Sequence, residues 1–148
     1  MAHVVVTETM PTSSQAVFDV IHDYDRRLEW DTLLSAAEVL DVDSPGPGVR
    51  TRCRARPMLG GYAFTTKYIT WRPPQLAAVA LERPIFVFTD WAASMRHRDI
   101  SSDSSTVTYT MTFSCRPSVL AGMIEPVAAR VFQWETRRRL HALARYLT

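Results

Sequence analysis

Thr106-Val-Thr-Tyr-Thr-Met-Thr-Phe-Ser-Cys115 alternates without a break, and the stretch after it, Ser118 to Leu147, does not. In the first, Val107, Tyr109, Met111 and Phe113 share one side and threonines the other, which is the period of a half-buried strand. In the second, Ala128, Phe132, Thr136, Leu140, Leu143 and Leu147 recur at helical spacing. A long strand therefore runs into a closing helix of more than twenty residues, with Ser118 expected as its cap and Pro126 expected to kink or restart it. Arg137, Arg138 and Arg139 fall mostly to one side of the stripe, and Glu135 and Thr136 interrupt its middle.

Upstream of that junction the chain reads as a meander of further strands. Ser35 to Val42 and Val49 to Arg56 flank a Pro- and Gly-rich turn at residues 43 to 48, Tyr62 to Trp71 closes at Pro73-Pro74, and Leu76 to Glu82 breaks at Arg83-Pro84. Ile85 to Phe88 leads into a strand through Asp99, and residues 101 to 105 make a polar turn. In Val49 to Arg56 the small residues Val49, Thr51, Cys53 and Ala55 point one way and Arg50, Arg52, Arg54 and Arg56 the other. Four desolvated guanidinium groups would be prohibitively costly, so the arginines face water and the small side chains face inward, where they leave room. Nearer the start, Ala2 to Met10 suits a first strand. Thr12-Ser-Ser-Gln15 has the spacing of a capping box, Val17, Val20, Ile21 and Tyr24 give a short helix one apolar face, and a second short helix ends near Trp30 or Asp31. The whole order predicts a curved antiparallel sheet of six or seven strands wrapped around the closing helix, an arrangement that leaves a cavity between them.

At 148 residues, 47% of them hydrophobic, the chain reads as one domain, 1–148, with apolar area left over to line a pocket. Val4 to Val6 is too short for a signal peptide and no segment is long enough for a membrane span, so a cytoplasmic location is expected. Residues 1–48 hold nine acids against Arg26 and Arg27, and residues 49–148 hold fifteen bases against six acids, about −7 and +9. Sixteen of the seventeen bases are arginine, which fits coding bias as well as an anionic partner, and nucleic acid is not expected. Cys53 and Cys115 are far apart and read as small buried hydrophobes. His3, His22, His97 and His141 lie on separate elements, so no metal site is expected. The chain carries no HExxH, CxxC, GxSxG, Walker-type loop or GxGxxG, and no cofactor is expected.

Two polar groupings stand out. His22, Asp23, Tyr24, Asp25 and Arg26 sit at the junction of the first helices, either as a pocket rim or as a solvated helix end. On the strand through Asp99, burial favours Trp91, Ala93, Met95 and His97 inward over Asp90 and Arg96; His97 is then either a proton carrier or a satisfied buried histidine.

Pro11-Thr-Ser-Ser-Gln-Ala-Val-Phe-Asp-Val-Ile21, then Tyr24-Asp-Arg-Arg-Leu-Glu-Trp30 and a turn with Gly48 before a strand, resembles the opening of the polyketide cyclase/dehydrase and lipid-transport superfamily. Its relatives include the steroid-acute-regulatory lipid-transfer domains and the birch-pollen allergen family. Trp71-Arg-Pro-Pro74 and the helix from Phe132 fit the same pattern, so the resemblance spans the chain. It implies an α+β helix-grip fold of START-like type and a site for a small hydrophobic ligand (lipid, sterol-like compound or polyketide), in a monomer or homodimer. It transfers no catalytic set. If the chain is an enzyme, the resemblance implies aromatase/cyclase or dehydratase chemistry in the same cavity; a third reading is an adaptor that holds an anionic partner through its arginines. The expected ligand-binding wall is Val49, Thr51 and Cys53; Phe64 and Tyr68; Phe86, Phe88, Trp91, Met95 and His97; Tyr109, Met111 and Phe113; and, from the helix, Phe132, Glu135, Thr136 and Leu140. Phe64 and Tyr68 lie opposite Ile69 and Trp71 by strict alternation, so the facing of that strand stays open.

Overall fold

The computed structural model describes residues 1–148. Its elements follow the order β1 (Ala2–Met10), α1 (Ser14–Ile21), a 3₁₀ turn (Arg27–Glu29), β2 (Leu34–Val39), β3 (Arg50–Ala55), a second 3₁₀ turn (Pro57–Leu59), β4 (Ala63–Arg72), β5 (Leu76–Leu81), β6 (Phe88–Ser101), β7 (Ser104–Cys115) and α2 (Ser118–Tyr146). All seven strands form one antiparallel sheet in the order β1-β7-β6-β5-β4-β3-β2. β1 therefore pairs with the last strand, and the meander wraps back from it. The curved sheet holds α2 on its concave side, which makes the fold the α+β helix grip that the element order predicts.

Alternation in β7 is complete: Val107, Tyr109, Met111 and Phe113 are buried while the threonines between them are half-buried on the other face. In β3 the same rule buries Thr51, Cys53 and Ala55 and turns Arg52 and Arg54 to solvent. Of four register shifts in the sheet, two each bring one more aromatic ring inside. In β4 the register shifts between Tyr68 and Thr70, so Phe64, Thr66 and Tyr68 face inward before the shift and Trp71 after it, while Ile69 is exposed. In β6 a shift between Phe88 and Asp90 lets both Phe88 and Trp91 turn inward despite opposite parity.

Local caps differ from expectation. Ser13, not Thr12, caps α1, accepting from the Ala16 N–H at 3.3 Å, and Gln15 donates to Asp19 instead of closing a capping box. Ser118 is the first helical residue of α2 and not its cap, and the helix runs unbroken through an exposed Pro126. No helix is long and apolar enough to cross a membrane.

Candidate functional site

The concave face is filled unevenly. Beneath α1, Phe18, His22, Tyr68, Trp71 and His97 pack ring against ring at 4.4 to 5.6 Å between centroids. The C-terminal half of α2 covers β1 and β7 with Leu140 and Leu143. Between strands β2 to β7 and α2 from Met123 to Arg139 lies a cavity of about 710 Å³, whose wall is hydrophobic at 24 of its 30 residues. It opens past three elements: the Pro57–Leu59 turn, the β5–β6 loop carrying Ile85 and Phe86, and the exposed Met123, Val127 and Trp134 of α2.

Thr51 and Cys53, Phe64 and Tyr68, Phe86, Phe88, Trp91 and Met95, Tyr109 and Met111, and Phe132, Glu135 and Thr136 all reach this wall. Val49, His97, Phe113 and Leu140 do not. Val49 precedes β3 and packs against the core, and Leu140 lies one turn beyond the cavity. Phe113 stands fully buried behind the wall, edge-on to Phe88 and Phe132 at 5.7 and 5.0 Å. His97 faces inward as expected but lies beneath α1, against Phe18, and not in the cavity. Neither of its ring nitrogens has a hydrogen-bond partner, and burial lowers its pKa to about 4, so it sits there as a neutral ring.

The helix-junction cluster divides likewise. Tyr24 lines the cavity, its hydroxyl 3.0 Å from that of Tyr68, which in turn lies 2.7 Å from His22 Nδ1. Burial lowers the His22 pKa well below its usual value, assisted by Arg27 and His97. Asp23 and Asp25 border a separate polar groove on the outside, and Arg26 is exposed.

A group of charges that sequence reading missed forms one end of the cavity. Asp31 is fully buried and its carboxylate accepts four hydrogen bonds: from Arg27 Nε at 2.8 Å, from Arg139 Nε and Nη2 at 3.1 and 2.9 Å, and from the Leu33 N–H at 2.9 Å. Burial opposes its charge, yet the guanidinium groups of Arg139 and Arg27 outweigh that cost and hold the carboxyl well below the usual range. Both arginines also present side-chain surface to the cavity. Arg139 is thus a member of the buried face and not of a surface arginine cluster. The signal was its spacing: it follows Glu135 by four residues and Thr136 by three, and so shares their side of the helix.

Polar groups in the wall are few. Thr51 and Thr66 satisfy one another at 2.9 Å. Glu135 Oε1 is buried with no partner, and burial raises the carboxyl's pKa against the opposing pull of Arg139 and Arg138. Burial likewise raises Tyr62, with Glu135 contributing. Arg27, Thr51, Thr66, Glu135, Thr136 and Arg139 are thus the polar members of a wall otherwise made of aliphatic and aromatic side chains, Tyr62 among them. No cluster of His, Cys, Asp or Glu suited to a metal ion is present, and Cys53 and Cys115 are both buried free thiols.

The sequence profile of the polyketide cyclase / dehydrase and lipid transport family matches residues 1–148. The chain belongs to this family. No curated protein sequence matches it significantly. Among solved structures, a START superfamily protein from Mycobacterium smegmatis superposes with a TM-score of 0.80 at 14% identity, covering 100% of both chains. The Zhui aromatase/cyclase from Streptomyces sp. R1128 gives 0.77 at 18% identity, covering 98% of this chain and 92% of its own. Ara h 8.0201 gives 0.75 at 12%, covering 98% and 96%. At these identities the likeness is one of fold, and family and fold together fit either hydrophobic ligand binding or cyclase-type chemistry.

Proposed function

We propose that the chain binds one small, mainly apolar molecule, of lipid, sterol-like or polyketide type, between the sheet and α2. The observation that carries this is a cavity of about 710 Å³ with 24 hydrophobic residues of 30 in its wall, inside the range of small-molecule sites and open at one end. Burying the ligand's apolar surface supplies the affinity, at about 25 cal/mol per Å² before the costs of ordering. Glu135, Tyr62 and Thr136 orient whatever polar end it has. The test is a titration with an environment-sensitive apolar dye, with native mass spectrometry of the purified protein for co-purified small molecules. Saturable one-to-one uptake, lost in Cys53→Trp, supports the reading. A dye response that Cys53→Trp leaves unchanged refutes it.

A second reading, turnover of a polyketide in the same space, is favoured by one observation: Glu135 Oε1 is buried in the wall without a partner, and burial raises the carboxyl's pKa, the direction a general acid needs. It predicts that Glu135→Gln costs about a hundredfold or more in the rate of poly-β-ketone turnover. Of the arginines an adaptor would use, Asp31 withdraws Arg139 from the surface, while Arg52, Arg54, Arg137 and Arg138 stay exposed.

A further inference from the structure

The cavity mouth is bordered by an exposed apolar surface that the fold itself does not use. On α2, Leu120, Met123, Val127, Val131 and Trp134 succeed one another at spacings of three and four and are all exposed, with Val119 beside them. Across the mouth, Met58 is 95% exposed on the turn that carries Leu59, and Phe86 is 70% exposed at the tip of the β5–β6 loop. Phe86 holds φ at 53°, a left-handed conformation that bulky residues rarely adopt, so the loop bears backbone strain while holding a largely exposed ring edge-on to Tyr62 at the mouth. Three separate elements thus place large apolar side chains around one opening, where scattered exposure would need no explanation but a shared rim does.

Charge around the rim is predominantly positive. Arg56, Arg83, Arg116, Arg130, Arg137 and Arg138 are exposed on or beside these elements, and Arg138 lies over the Trp134 ring at 4.6 Å. Fewer acids lie nearby: Glu82 pairs with Arg50, Glu125 pairs with the amino terminus and accepts from the Cys115 N–H, Glu135 lies within the cavity wall, and Asp90 is exposed. An apolar patch with an indole at its edge and arginines around it matches the interfacial zone of a bilayer with anionic headgroups, where rings and aliphatic tips enter the acyl boundary and guanidinium groups meet phosphate. We infer that this rim docks the protein on an anionic membrane surface, with the cavity mouth facing the lipid. The surface exists whether or not the cavity holds a ligand, so the inference stands apart from the proposed function.

The experiment is flotation of the full chain with large unilamellar vesicles of phosphatidylcholine alone or mixed equally with phosphatidylglycerol, read also by Trp fluorescence. Binding to the mixed vesicles with a blue shift, little binding to pure phosphatidylcholine, and weakening by high salt are expected. Arg83→Glu/Arg130→Glu removes two cations, each contributing about a factor of five at such a surface, and should weaken partitioning by about thirtyfold or more. Met58→Asp/Val119→Asp should do the same through the apolar component. None of these four side chains lines the cavity, so dye uptake should persist in both variants, and its loss would bear on the proposed function alone. Equal binding by wild type and both double variants, or no vesicle binding by wild type, overturns the inference. So does a concentration-dependent dimer in sedimentation that Met58→Asp/Val119→Asp dissolves while vesicles fail to bind, which would assign the rim to a second copy of the chain.

Discussion

The two halves of α2 are built of similar residues and end in opposite environments. Toward its end the inward side chains Leu140 and Leu143 are buried against β1 and β7; before Trp134 its large apolar residues, from Val119 to Val131, are exposed or line the opening. What differs is the floor beneath. Under the C-terminal half the sheet offers Val4, Val6 and Val107, part of one buried cluster with Leu140 and Leu143; the N-terminal half meets the sheet through Phe132, against Phe88 and Phe113, and beside that contact the small side chains of Thr51, Cys53, Thr66 and Val79 leave the wall open. The helix therefore serves as core on one side and as cavity wall on the other. Substitutions in the packed region should cost stability, and substitutions in the open region should cost ligand uptake.

The largest effect is expected at the hinge between the two, where Asp31 ties α2 to the first 3₁₀ turn. Asp31→Asn leaves Arg27 and Arg139 buried without their counter-charge and should destabilise by about 3 to 5 kcal/mol in chemical denaturation. A change under about 1 kcal/mol would mean that the two arginines reach water through the cavity.

Next comes pH dependence from beneath α1. His97 has an ordinary pKa of 6.5 and a folded-state value of about 4, so between these values the unfolded chain binds a proton that the folded chain refuses. Stability should fall as pH falls through that window, by about 3 kcal/mol from His97 at its acid end, with His22 adding to it. His97→Leu should flatten this slope while leaving stability at pH 7 within about 1.5 kcal/mol, since both ring nitrogens lack partners. An unchanged slope in urea melts across that range would place the acid sensitivity elsewhere.

Smaller effects belong to the open half. Cys53→Trp should cost about 1 to 3 kcal/mol by overpacking. Ala55 is not an equivalent position: it is fully buried in a small cluster with Leu33, Leu34 and Cys53, outside the cavity wall. Val127→Ser, at an exposed wall position of α2, should move stability by no more than about 0.5 kcal/mol, and a larger loss would show that the mouth closes in solution.

The fold was legible because periodicity is a backbone property: the switch from period two at Thr106–Cys115 to helical spacing after Ser118 survives any tertiary detail. Most of the wall was legible for the same reason, since inward parity in β3, β6 and β7 names its residues. What parity cannot supply is where a strand bulges or which part of an inward face the helix fills. The shift at Tyr68–Thr70 settled a facing that alternation left open, and α1 claimed His97 for the packed end. Asp31 with Arg27 and Arg139 was hidden differently, because Arg139 lies 108 residues from Asp31 and the only local traces are the four-residue spacing of Arg27 and Asp31 and the placing of Arg139 on the stripe of Thr136. Whether the wall binds anything is a separate question, and only a ligand measurement answers it.

That measurement is the dye titration of wild type beside Cys53→Trp, with folding of both checked by near-ultraviolet circular dichroism. The account predicts saturable one-to-one binding in the wild type and none in the folded variant, since the indole occupies the space between β3 and α2. Equal binding by the two folded proteins would contradict it and put the site outside this cavity.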